Sequence, residues 1–434
     1  MSEVRLQRQA ILEADLEPIN FSDQQNAANL YIPLSHIKAL KLETSVVVGG
    51  RGVGKSFWTA ALNSERLRSH IGIALPELKN LDIAVGYSEK TAYCYPDPES
   101  ITALLNKGIE PYDVWRAVIA RWAAKLADRT DNVPQESWQT TIEWLKEQPE
   151  EVKTIMLQAN KKKGLLVFDA LDRSSNRWQV MDDLVRGLLR ALLWLKSFNG
   201  LYGKVFLRED QADRTVFTFP DASKLKATQA ELTWAKHDLH GLLWQRLINA
   251  PAQHGELMRQ LLQSLNVKLT SEIEIWLLPN EVKRETDIQR QAFELLAGPW
   301  MGKDRRRGVP YVWSVSHLAD VRGLASPRSF LAAIQQAAQD SQERYPEYTY
   351  ALHYESIKRG IQEASVIRVD EVAEDYPWLT SVLGALEGLN VPVEFAEIQA
   401  RWEERFPNGI KDIENKQLLP AQHETQNWDG ILND

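Results

Sequence analysis

The tightest constraint on how this 434-residue chain can fold is one eight-residue segment, Gly49-Gly50-Arg51-Gly52-Val53-Gly54-Lys55-Ser56. It fits G-x-x-x-x-G-K-[ST]. At background residue frequencies a chance match in a chain this long arises about 1–2% of the time. The flanks narrow that further. Val46, Val47 and Val48 form a β-branched run suited to a buried parallel strand, and Phe57 to Leu67 reads as helix. Strand, loop and helix in that order predict an α/β fold with the loop at the carboxyl end of its strand.

The residue types follow from what such a loop can hold. Glycines let backbone N–H groups converge on an anion without a Cβ in the way, and the next helix presents its positive N-terminal end. Lys55 then reaches the β- and γ-phosphates of a triphosphate, and the Ser56 hydroxyl ligates Mg²⁺. The spacing therefore predicts a site for a purine nucleoside triphosphate, ATP with Mg²⁺, built from Gly49 to Ser56 and Phe57. A plain glycine-rich turn is the bland alternative.

A magnesium site of this kind needs a carboxylate. Gly164 to Phe168 is a continuous apolar run ending at Asp169, which makes Asp169 the expected metal-binding residue. Related ATPases often carry glutamate next, whereas this chain has Ala170. Asp172 either orients the attacking water or N-caps the helix that follows. Lys161 to Lys163 reads as a solvated turn. A helix is expected from about Trp178 to Phe198, ended by Asn199-Gly200. The run 203–210 then reads as another buried strand. It would set Arg208 beside Asp169, to sense the γ-phosphate or to form a structural salt bridge.

The remaining chain divides by pattern. Residues 1–40 are a lead-in, and 41–250 the nucleotide-binding core, with a second strand near 81–87. Within it, about 91–160 is a helical insertion, where Trp115, Val118, Ile119, Trp122 and Leu126 share a face. Residues 251–345 read as an α-helical lid. From 346 to 434, helices around Trp378–Glu387 and Glu394–Glu404 suggest a winged-helix-like module before a polar tail. The fold class expected is thus α/β: a P-loop NTPase core with a parallel sheet flanked by helices, plus the insertion, the lid and a C-terminal helical region.

Composition excludes several function classes. The net charge of −8 argues against a protein that coats nucleic acid. The single cysteine, Cys94, excludes a disulfide framework and reads as a small buried hydrophobe. The first residues mix charges, and the longest apolar run, Leu184 to Phe198, holds Arg186, Arg190 and Lys196. Neither a signal peptide nor a membrane span is expected, and a soluble, cytoplasmic protein is. Most of the fifteen tryptophans are expected in packing, and His237 and His240 lack a third metal ligand. Neither H-E-x-x-H nor G-x-S-x-G occurs.

Several stretches together, GGRGVGKSF, GLLVFDALDR, KVFLREDQADR, ELTWAKHDLHGLLWQRL and FELLAGPWMGKDRRRGVPYVWSVSHLADVRGLASPRSFLAAI, resemble bacterial P-loop ATPases of the AAA+/STAND/KAP neighbourhood. Many of these occur in anti-phage defence islands. The resemblance spans roughly residues 30–337. It implies a regulatory ATPase that hydrolyses ATP, assembles as a homo-oligomer and controls a separate effector protein. It also implies that Arg328 contacts the nucleotide from the lid and that Arg305, Arg306 and Arg307 supply an arginine finger to a neighbouring subunit, unless they form a solvated basic loop. A DNA-linked ATPase of initiator or transposition-regulator type, and a scaffold that binds nucleotide without turnover, are the alternatives.

Overall fold

The computed structural model describes residues 3–16, 27–175, 177–212, 215–273, 275–320, 322–375, 377–390, 392–413 and 428–433. Its centre is a five-stranded sheet of β1 (Val46–Val48), β2 (Asp82–Tyr87), β3 (Gly164–Phe168), β4 (Leu201–Leu207) and β5 (Ala230–Glu231). The order is β2-β3-β4-β1-β5, and every pairing is parallel. Strands β1 and β3 are buried at every position, which is why both read as unbroken apolar runs rather than alternating ones. From β1 the chain crosses toward β2, whereas from β4 it crosses over β1 to β5. These connections leave the adjacent strands β1 and β4 in opposite directions, and the crevice outside their carboxyl ends is where ligands of open α/β sheets bind.

Helices cover both faces. On one side, Pro111–Leu126 and Trp178–Leu195 bury Trp115, Val118, Trp122, Leu184 and Leu188 against β3 and β4. The Trp115 indole N–H donates to the Leu184 carbonyl at 2.8 Å, pinning the two helices together. On the other side, Lys55–Asn63 and Glu65–Ala74 bury Trp58, Leu62, Leu67 and Ile71. The helix expected over 57–67 is therefore two, parted at Ser64, which caps the second. Lys204 is an unexpected occupant of β4. It is fully buried, and its ammonium donates to the carbonyls of Ala39, Lys41 and Thr44 at 2.6, 3.0 and 2.5 Å. That clamp fixes the turn leading into β1, while burial lowers the pKa of Lys204 to about 7.

The insertion consists of the helices Pro98–Asn106, Pro111–Leu126, Trp138–Glu147 and Pro149–Asn160. The 251–345 span is not wholly helical. It contains an antiparallel hairpin of β6 (Thr270–Glu272) and β7 (Ile275–Leu277). Each strand is three residues, too short for a sequence period. Partners distant in sequence secure β7: Asn249 brackets the Trp276 backbone with two bonds of 2.9 Å, and Gln245 donates to the Trp276 carbonyl at 2.8 Å. The first helix, Glu3–Glu13, packs on Ala252–Gln263 and Pro327–Arg344, and Arg8 donates to the carbonyls of Ala351 and Pro346. Cys94 is exposed, not buried, because it lies in the loop after β2 rather than on a packed face.

Two compact units divide at Ile361 and Gln362, within the helix Tyr354–Asp375. The second has its own core of Trp378, Val382, Trp402, Phe406, Ile410, Ile413 and Ile431. Among its described residues there is no strand, so the wing of a winged-helix module is not found there. No helix of the described residues is long and apolar enough to cross a membrane.

Two buried histidines give the first unit an acid limit. Trp58 donates its indole N–H to His36 Nδ1 at 3.1 Å, so Nδ1 must accept, and Nε2–H faces the Thr233 carbonyl at 3.1 Å. His240 Nε2 meets the Tyr311 carbonyl at 2.9 Å among Tyr311, Phe293 and Phe330. Burial lowers their pKa values to about 4 and about 3. The unfolded chain takes up both protons near pH 6.5, whereas the folded one resists them. Stability is thus fully present above pH 6.5 and falls as pH drops toward 4. The expected loss is about 2–3 kcal/mol per histidine between pH 6.5 and 4.5. Urea unfolding across that interval checks it, and a flat midpoint would contradict it.

Candidate functional site

The loop Gly49 to Ser56 lies at the crevice between β1 and β4. Its start is fastened to the sheet, with the Gly49 N–H donating to the Leu207 carbonyl at 3.1 Å. Gly52 and Gly54 take φ values of +75° and +104°, which side chains with a Cβ rarely adopt. These turns direct the loop into the helix Lys55–Asn63, whose N-terminus no side chain caps. Gly49, Gly50 and Val53 form the inner layer. A Cβ on Gly49 would meet Val53 Cγ2 at 2.7 Å, and one on Gly50 would meet Glu209 Oε1 at 3.5 Å. Arg51, Gly52, Gly54, Lys55, Ser56 and Phe57 line a cleft of about 250 Å³.

Lys55 folds back over the loop, donating from Nζ to the carbonyls of Gly49 and Gly50 at 2.9 and 2.7 Å. Burial lowers its pKa to about 8, against the pull of Asp169. Asp169 follows β3 and is 3% exposed, with its N–H donating to the Tyr87 carbonyl at 3.0 Å. Burial pushes the Asp169 pKa up, while Ser56, Ala170 and Lys55 draw it down. Ala170 has φ of +55°, bending the chain sharply after the strand. Ser56 and Asp169, predicted from separate motifs, thus line one cleft, near enough for the Ser56 hydroxyl to draw the Asp169 pKa down. A hydroxyl and a carboxylate are hard oxygen donors of the kind magnesium takes. Among the described residues no group of three or more His, Cys, Asp or Glu could hold a metal. Magnesium bound largely through phosphate oxygens and water needs only one or two protein oxygens.

Arg208 directly follows β4, which lies between the strands that carry the loop and Asp169. Its Nε and Nη2 donate to the two Asp210 carboxylate oxygens at 3.1 and 3.0 Å, and Nη1 lies 3.9 Å from Asp172. The salt bridge of the expected pair of alternatives is therefore present, and Arg208 lines the same cleft as Asp169. Asp172 sits in the short turn Leu171–Arg173 on the cleft wall. It does not cap the next helix, because Arg177 holds that position. Asp210 escaped the sequence reading, since nothing in REDQAD separates a guanidinium partner from a surface acid.

The opposite wall comes from the helix Pro327–Arg344, N-capped by Ser326. A Cβ on Gly52 would lie 3.1 Å from Ser326 Oγ and 3.5 Å from Arg328 Cβ, so Arg328 stands directly over the loop. Arg305, Arg306 and Arg307 form an exposed turn and are not among the cleft residues. Lys161 to Lys163 are exposed as well. Sequence reasoning missed the aromatic wall. Trp234 donates to the Val53 carbonyl at 2.9 Å and stacks on Tyr31 at 6.1 Å, and both line the cleft with Leu16, Leu242 and Arg246. The only advance signal was the abundance of tryptophan.

No protein-family model matches the chain, and comparison with curated proteins found no match.

Proposed function

We propose that this chain is a regulatory ATPase that binds ATP with Mg²⁺ in the cleft, hydrolyses it, and uses the change to control a separate effector protein. The observation that carries this reading is that Ser56 and Asp169 line one cleft beside Lys55 and the glycine loop. Two chain segments distant in sequence, the loop with Lys55 and Ser56 and the end of β3 with Asp169, supply the anion cradle, the cation and the hard oxygen donors to one crevice.

Each residue then has a task. The amides of Gly52 to Ser56 and the Lys55 ammonium bind and orient the phosphates. Ser56 and Asp169 would hold Mg²⁺, which when bound neutralises charge developing on the phosphates. Asp172, partly exposed and near Arg208, accepts the proton of a water whose oxygen attacks the γ-phosphorus as the β–γ bridging P–O bond breaks. Arg328 approaches from the helix over the loop, so the γ-phosphate can bias how that helix sits against the sheet. A homo-oligomer and an effector partner suit a chain whose sequence carries neither a zinc-protease nor a nucleophile-elbow motif.

Calorimetric titration tests the reading. Mg·ATP is expected to give saturable heat, metal-free ATP to bind more weakly, and phosphate release to follow. Absence of heat with Mg·ATP would reject nucleotide binding, and binding without phosphate release would favour the non-catalytic scaffold.

A further inference from the structure

We propose, resting on the ATPase reading above, that Asp210 is a positioning residue for hydrolysis. It holds Arg208 by one edge and so keeps the guanidinium from capturing Asp172, leaving that carboxylate to take the proton of the attacking water. Arg208 and Asp172 both line the cleft, and Asp210 is not among the residues that do. Asp210 therefore acts on Arg208 from behind the cleft wall.

The arrangement is tightly built. The Arg208 and Asp210 side chains are 13% and 17% exposed. Asp210 takes the Nε–Nη2 edge of Arg208 at 3.1 and 3.0 Å, the paired geometry that suits a planar guanidinium. Its Oδ1 also accepts from the Gln211 N–H at 3.0 Å. Gln211 is buried, and its Oε1 accepts from the Arg208 N–H at 3.0 Å. Backbone and side chain of Arg208 are thus both fixed by the short helix Glu209–Ala212 that follows it. On the other side of the guanidinium, Nη1 lies 3.9 Å from Asp172 Oδ2. That is near enough for attraction and too far for a hydrogen bond. A shift of about 1 Å would bring the two into charge-assisted hydrogen-bond range. A carboxylate that already accepts from a guanidinium takes up a proton less readily. Asp210 and Asp172 therefore compete for one guanidinium, and Asp210 prevails by engaging two of its nitrogens.

The test uses the full chain, with D210N, R208Q and the double variant R208Q/D210N beside it. Calorimetry reads Mg·ATP affinity, phosphate release reads kcat, and urea unfolding reads folding. D210N is expected to lower kcat by about 10–10²-fold, part of what a positioned proton acceptor supplies, while Mg·ATP affinity stays within about threefold. In the R208Q background the same change should cost less than about twofold, because no guanidinium remains to be redirected. An unchanged kcat in a folded D210N chain, a loss of equal size with and without Arg208, or a loss of affinity in step with kcat would each overturn the proposal. Should D210N not fold, R208K decides. Lysine keeps the charge but has no second edge to give Asp210, so kcat should fall about tenfold or more, and wild-type kcat in R208K would overturn the proposal. Wild type that binds Mg·ATP without releasing phosphate would reject the hydrolysis reading itself, whereas equal turnover in wild type and D210N would reject the role of Asp210 alone.

Discussion

Replacing Lys55 by methionine is expected to weaken Mg·ATP binding by about 10²–10³-fold, the usual cost of deleting one partner from a buried charge pair. The ammonium is largely screened from water, so its attraction to a polyphosphate is little diluted by solvent. Before any ligand arrives, it is held by the carbonyls of Gly49 and Gly50, which keep it at the loop. Folding should hardly notice the change. Methionine keeps the aliphatic stem, and relief of charge burial offsets the two lost hydrogen bonds to within about 1 kcal/mol. Calorimetry with Mg·ATP, paired with urea unfolding of the apo protein, separates the two effects. Unaltered affinity in a well-folded Lys55→Met chain would remove the basis of the proposed function.

Asp169→Asn is expected to reduce phosphate release by about 10²–10³-fold, as loss of a preorganised group that supports charge development does elsewhere. Stability should move the other way. Burial raises the pKa of Asp169 above its unfolded value, so at neutral pH the folded state bears an ionised carboxylate it would rather not hold. That penalty fades as pH falls through the raised pKa and is gone below the ordinary aspartate range. Asparagine never carries it. The variant should thus unfold at equal or higher urea concentration while losing turnover. A less stable variant with undiminished turnover would mean that Asp169 is a structural residue only.

Opposed effects of this kind mark a group retained for chemistry at the expense of folding. Lys204 is a useful contrast. It is fully buried, but three carbonyls satisfy its ammonium and it faces the turn before β1 rather than the cleft. Burial alone does not make a site; what distinguishes Lys55 and Asp169 is that they share an open cleft with each other.

Much of the core was legible because its signals are local. A triplet of valines, glycines at positions needing positive φ, and the apolar run before Asp169 each reflect constraints within a few residues. Strands β1, β3 and β4 and the long helix Trp178–Leu195 follow from such patterns. The hairpin Thr270–Leu277 did not, because side chains some thirty residues earlier hold it. Asp210, Tyr31, Trp234 and Arg246 were invisible for the same reason. Each is an ordinary residue in its own stretch and acquires meaning only from what it meets.

By itself, then, the sequence determined that a glycine-rich turn must follow a buried strand here, and that an aspartate must end another, because backbone sterics and hydrophobic runs act over neighbouring residues. Only the tertiary structure decided that Ser56 and Asp169 line one cleft, that Arg208 is shared between Asp210 and Asp172, and that an aromatic wall with one buried guanidinium closes the cleft. Those contacts depend on the order in which parallel strands assemble, and strand order is set by packing across the whole sheet rather than by any stretch of chain.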